Sequence, residues 1–122
     1  MVILVEPCAD PYGPRALRSS MGSVFNLPVV TTRDVGALFR WIGEQGLRSV
    51  AADAHSGELW GDAMWKGNVA LVLGNEAHGL SGDVAPRIAD HVRLPMAGKA
   101  DSLNVAVAGG ILMYLWVRAN GR

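Results

Sequence analysis

Short apolar runs broken by polar turns set the rhythm of this chain. The opening run, Val2-Ile3-Leu4-Val5, is continuous and β-branched, the pattern of a strand covered on both faces. From Glu6 to Gly13 the chain is turn chemistry, with Pro7, Asp10, Pro11 and Gly13. Pro14 suits the first turn of a helix, and the spacing predicts that helix through Met21 with Gly22 as its stop. Residues 27–30 predict a second strand. Asp34 then caps a helix in which Val35, Leu38, Phe39 and Ile42 share a face, ending near Gly43 and Gly46. Two more strands are predicted over 48–53 and 69–73. A short one follows over 92–94, which Pro95 closes by removing a backbone donor. From Val105 to Val117 every residue is apolar or glycine, so the last helix has no polar face and is expected to be buried against protein. It is too short to cross a membrane, which takes about 20 apolar residues. Strands alternating with helices point to an α/β fold built on a parallel sheet.

The junctions between these runs hold the candidate chemistry. Gly74 follows the most apolar strand, and a glycine at the carboxyl end of a central strand lets a ligand approach the backbone. The turn before the last helix, 96–100, leads to Asp101 and Ser102, either of which suits the cap of that helix. A polar turn feeding a helix N-terminus is a candidate ligand site, because unpaired N–H groups gather there. Arg15 and Arg18 are three apart, share a helix face and suit phosphate contacts. The loop 54–66 holds Trp60 and Trp65, expected to fold back over the edge of the core. Residues 118–122 read as a polar tail ending the last helix.

Composition narrows the classes. The 122 residues suit one domain, and with half of them apolar and 18% charged the chain is globular rather than disordered. Formal net charge is zero, so any RNA binding rests on local patches instead of a chain-wide field. Cys8 is the single cysteine, which excludes an intrachain disulfide and a zinc cluster. His55, His78 and His91 have no metal-ligand spacing, and neither a GxxxxGK nor a GxGxxG motif is present. The first residues have too short an apolar core for a signal peptide, so a soluble cytoplasmic protein without membrane or metal is the expectation.

Three ordered stretches carry a resemblance. They are Asp10-Pro11-Tyr12-x-Pro14-Arg15-x-x-Arg18-x-Ser20-Met21-Gly22-Ser23, followed by Leu27-Pro28-Val29; Gly74-Asn75-Glu76-Ala77-His78-Gly79-Leu80-Ser81; and Leu94-Pro95-Met96-x-Gly98-x-x-Asp101-Ser102-Leu103-Asn104-Val105. Together they resemble the SpoU-type 2′-O-ribose RNA methyltransferases of the SPOUT (α/β-knot) superfamily, over essentially the whole chain. The resemblance implies an α/β fold, helices on both faces of a parallel sheet and a C-terminal trefoil knot. It also implies a homodimer with cofactor sites at its interface, where Ala106-x-x-x-Gly110 leaves room for close packing. The implied cofactor is S-adenosylmethionine and the implied partner is tRNA or rRNA.

By the same resemblance Gly74, Leu94, Met96, Ser102 and Leu103 bind the cofactor, while Glu76 and Asn104 line the place where the ribose hydroxyl reacts. The family's first signature, an Asn- and Gly-rich segment with an arginine that activates the hydroxyl, precedes the strand at which this sequence begins. The chain is thus expected to be N-terminally truncated relative to the family, with Arg18 the candidate to substitute for that arginine. Two readings follow from this: an RNA 2′-O-ribose methyltransferase, or a non-catalytic cofactor-binding or dimerisation remnant of one.

Overall fold

A computed structural model describes residues 1–54, 58–59 and 61–122; the expectation for Trp60 falls outside them. The chain divides into two units, Met1–Leu38 and Phe39–Arg122.

In the first unit, β1 (Val2–Val5) runs parallel to β2 (Val29–Thr32), in register from Val2 opposite Val29 to Val5 opposite Thr32. The strand β2 starts later than the predicted 27–30. Pro28 has no N–H for the ladder and contributes only its carbonyl, which accepts from Val2 N at 2.9 Å. The β-branched Thr31 and Thr32 then extend the strand. Val2 is exposed and Ile3, Leu4 and Val5 are half-buried, so β1 is not the fully covered strand its apolar run suggested. Apolar β-branched residues report a fit to a pleated surface, not the number of layers on it. Between these strands lies α1 (Pro14–Ser20), with Pro14 in its first turn as expected. It ends on Met21 and Gly22, both left-handed at φ 51° and 83°, before a 3-10 turn over Ser23–Asn26. Helix α2 (Val35–Glu44) crosses the boundary between the units. Asp34 Oδ1 caps it by accepting from Ala37 N at 2.8 Å.

The second unit holds a four-stranded parallel sheet in the order β4 (Glu58–Leu59), β6 (Asp90–Arg93), β3 (Arg48–Ala52), β5 (Val69–Val72). The pattern implied one sheet; the hydrogen bonds make two, because apolarity tells that a strand is covered and not which strand it pairs with. Ser49, Val50 and Ala51 of β3 are buried, as its central place requires. The core joins Val50 and Val92 of the sheet to Leu112 and Leu115 of α3 (Val105–Ala119) and to Trp65, which folds inward as expected and is 1% exposed. Asn120 latches the end of α3. Its Nδ2 donates to Trp65 O at 2.7 Å and Trp116 O at 2.8 Å, and its Oδ1 accepts from Gly67 N at 2.9 Å. The tail is thus a structural clasp as well as a helix stop.

Helix α3 departs from expectation in two ways. It buries one stripe, Gly109, Leu112 and Leu115, while Val107, Ile111, Met113 and Tyr114 are exposed. A helix packs with one face whatever the composition of the other. Its cap, moreover, is Asn104 rather than Asp101 or Ser102, since only the residue next to Val105 reaches the free N–H groups. No helix among the described residues is long and apolar enough to cross a membrane.

Candidate active site

The parallel strands β3, β5 and β6 end on the same side of their sheet, and the chain after each turns into a cavity of about 750 Å³. Its lining is drawn entirely from the second unit. Three segments form it: the loop after β5, the stretch after β6, and the approach to α3. Ala52, Asp53 and Ala54 close it from the end of β3.

The loop after β5 is built by Asn75. Its backbone exchanges two hydrogen bonds with Gly79, Asn75 N to Gly79 O at 2.9 Å and Gly79 N to Asn75 O at 2.7 Å. Its side-chain Oδ1 accepts from Ala77 N at 2.8 Å and His78 N at 3.3 Å, so one residue closes the turn from both sides. Gly79 takes the left-handed φ of 65° that the closure needs. Gly74 is required here for a reason other than the one its position suggested. A Cβ on it would stand 2.5 Å from Gly79 C and 2.7 Å from Gly79 O, so the loop's own backbone, not an approaching ligand, excludes a side chain.

The approach to α3 is held by Asn104. Its Oδ1 accepts from Ala106 N at 2.9 Å and Val107 N at 3.3 Å, satisfying two free donors of the helix. That commits the amide nitrogen to the other side, where it donates to Glu76 Oε1 at 2.9 Å. The helix N-terminus thereby orients the carboxylate of a loop 28 residues upstream. The second carboxylate oxygen of Glu76 carries no hydrogen bond among the described residues, and it can take one from a hydroxyl.

All five residues implied for the cofactor, Gly74, Leu94, Met96, Ser102 and Leu103, line this one cavity, as do Glu76 and Asn104. Arg18 belongs to the first unit, where it is exposed on α1. Sequence reasoning missed Asp53 and His91, whose Oδ2 and Nδ1 lie 3.8 Å apart in the lining. The signal for Asp53 was its place just past a buried strand; nothing in spacing pointed to His91. The walls combine aliphatic surface from Leu73, Leu80, Leu94 and Leu103 with the carboxylates of Asp53 and Glu76. No lysine or arginine is among the described lining residues. Such a lining suits a ligand that carries both a flat apolar group and a cation.

The model of the SpoU rRNA Methylase family matches residues 1–114. A 23S rRNA (guanosine(2553)-2′-O)-methyltransferase of Bacillus subtilis is 31% identical over 93% of this chain and 45% of its own length. A 23S rRNA (uridine(2479)-2′-O)-methyltransferase of Streptomyces viridochromogenes is 34% identical over 96% of this chain and 42% of its own. Among solved structures, the SpoU methyltransferase AviRb of Streptomyces viridochromogenes in complex with AdoMet superposes with a TM-score of 0.84 at 33% identity. It covers 95% of this chain and 48% of that one. An AdoMet-bound rRNA methyltransferase of Sinorhizobium meliloti gives 0.83 at 34% identity, covering 95% and 44%. The chain spans less than half the length of each of these relatives.

Proposed function

Since the chain belongs to the SpoU rRNA methylase family, we propose that it serves methyl transfer from S-adenosylmethionine to a ribose 2′-hydroxyl of rRNA or tRNA, in the cytoplasm. The observation that carries this reading is the Glu76–Asn104 bond in the lining of a cavity shared with all five residues proposed to hold the cofactor. The cavity fits that cofactor on its own chemistry. Leu94 and Leu103 offer apolar walls to an adenine, and a sulfonium meets carboxylates with no lysine or arginine among the described lining residues. When bound, S-adenosylmethionine supplies the electrophilic methyl group.

The chain's own residues do the rest. Asn104 holds Glu76 in one orientation, and Glu76 accepts a hydrogen bond from the ribose hydroxyl and takes up its proton as the oxygen becomes nucleophilic. Fixing the hydroxyl in line is the larger share of the work, since well-oriented reactants avoid most of the entropic cost of meeting. A guanidinium presents a fork of donors suited to phosphate oxygens, so the proposed role of Arg18 is that of a cation toward RNA.

Residues 1–122 are read as one methyltransferase domain with helices on both faces. The family implies a C-terminal knot, read here as part of the same domain. The open face of α3, with Val107, Ile111 and Tyr114 at 51%, 41% and 77% exposure, supports a homodimer packed through that helix. The test is transfer of labelled methyl from S-adenosylmethionine to bulk rRNA and tRNA, followed by nuclease digestion. A labelled 2′-O-methylnucleoside is the expected product, and Glu76→Ala should reduce it about 10²- to 10⁴-fold. Label on a base, or transfer unchanged in Glu76→Ala, would overturn the assignment.

A further inference from the structure

Helix α1 and the 3-10 turn after it leave large side chains in solvent. Tyr12 is 51% exposed, Phe25 71% and Met21 91%, whereas residues of this size usually find cover. Tyr12 precedes the helix and Phe25 follows it. Their rings stack at a centroid distance of 6.4 Å and an interplanar angle of 28°, closing the segment on itself. Arg15 and Arg18 lie inside that closed segment, both exposed and on one face of α1. From Pro11 to Thr32 the sequence contains these two cations and no aspartate or glutamate. Met21 adds a separate sign of purpose. It holds φ 51°, where a Cβ is disfavoured, and this cost accompanies a side chain that gains almost no burial.

We propose that this segment is a contact for single-stranded RNA, in which a base stacks on the Tyr12–Phe25 pair and Arg15 and Arg18 take the adjoining phosphates. The ligand class rests on the function proposed above; the place and mode of contact rest on the rings and the local charge. Aromatic faces beside cations are what unpaired nucleotides require, since each base brings a π-face and a charge. A paired A-form helix keeps its bases stacked inside and has no use for an exposed ring. The neutral whole makes the patch matter more, because no general field supplies the attraction.

The experiment is fluorescence anisotropy of the full chain with a labelled single-stranded oligouridine and with a matched duplex, across a salt series. Phe25→Ala should weaken single-strand binding about fivefold to a hundredfold and leave the salt slope unchanged. Phe25→Trp should retain affinity, which a merely structural role for the ring does not predict. Arg15→Ala with Arg18→Ala should make the slope of log K against log salt shallower by about 1.4, for two phosphates on a single strand. Unchanged binding by a folded Phe25→Ala chain would overturn the proposal, as would a preference for the duplex. So would a change of self-association in Phe25→Ala with RNA affinity unaltered, which would make the patch a protein interface. Cofactor titration of the same samples keeps the two readings apart: loss of the RNA effects with cofactor bound defeats this inference alone, and RNA effects without cofactor binding defeat only the methyltransferase reading.

Discussion

Asn104 has two jobs, and two substitutions separate them. Asn104→Ala removes both, leaving Ala106 N and Val107 N without their acceptor and Glu76 without its donor. Loss of an N-cap costs about 1 kcal/mol, which for a chain of this size lowers Tm by roughly 3–6 °C. Asn104→Asp keeps an oxygen for the cap and adds a negative charge at a helix N-terminus, favourable by about 0.3–1 kcal/mol. The price is a second carboxylate where Asn104 stood 2.9 Å from Glu76, a repulsion of about 1.4 kcal/mol at the dielectric of water. Because Glu76 is exposed it swings away, and Asn104→Asp melts within about 1 kcal/mol of wild type. Both variants lose the orientation of Glu76 and should transfer methyl about 10²-fold more slowly. Differential scanning calorimetry and a single-turnover methyl-transfer assay read the two jobs separately. Wild-type melting of Asn104→Ala would refute the capping argument, and wild-type transfer by Asn104→Asp would refute the claim that the bond to Glu76 matters.

Gly74→Ala should disrupt the Asn75–Gly79 closure, cost about 1–3 kcal/mol and abolish cofactor binding by calorimetry, because its Cβ meets loop backbone at 2.5 Å. Gly82→Ala is the control, since nothing lies within 4 Å of its added carbon. Asn120→Ala should destabilise by about 1–3 kcal/mol in urea titration, as it strips the partner from Gly67 N and from Trp65 O. Leu112→Ala, at a fully buried position between α3 and the sheet, should cost about 2–5 kcal/mol in the same assay.

Much of this architecture is written locally. The proline opening α1, the Asp34 cap and the inward Trp65 all follow from residue types and their spacing, and each stands where it was expected; the strand before Gly74 is there too, but it ends at Val72 and is half-buried. What escaped is non-local. Whether β1 pairs with β2 or with the other strands depends on partners far away in sequence. The cap of α3 is ambiguous in sequence because Ser, Asp and Asn all suit a cap by composition; only the start of the helix at Val105 chooses Asn104 over Asp101 and Ser102. The exposed face of α3 was hidden for a related reason, since a helix apolar all round does not disclose which stripe its own chain covers. At the site, Glu76 and Asn104 were recognisable by resemblance, but the bond joining them, and the place of Asp53 and His91 beside them, required the fold.

On the function proposed above, the segments after β5, after β6 and before α3 form one pocket for S-adenosylmethionine. Amide chemical shifts of the ¹⁵N-labelled chain during titration with the cofactor report on that pocket residue by residue. Saturable changes concentrated in residues 74–80 and 94–105 are expected, reaching completion at one cofactor per chain. A folded chain whose amides stay in place at millimolar cofactor, or whose shifts gather instead in residues 12–26, would contradict it.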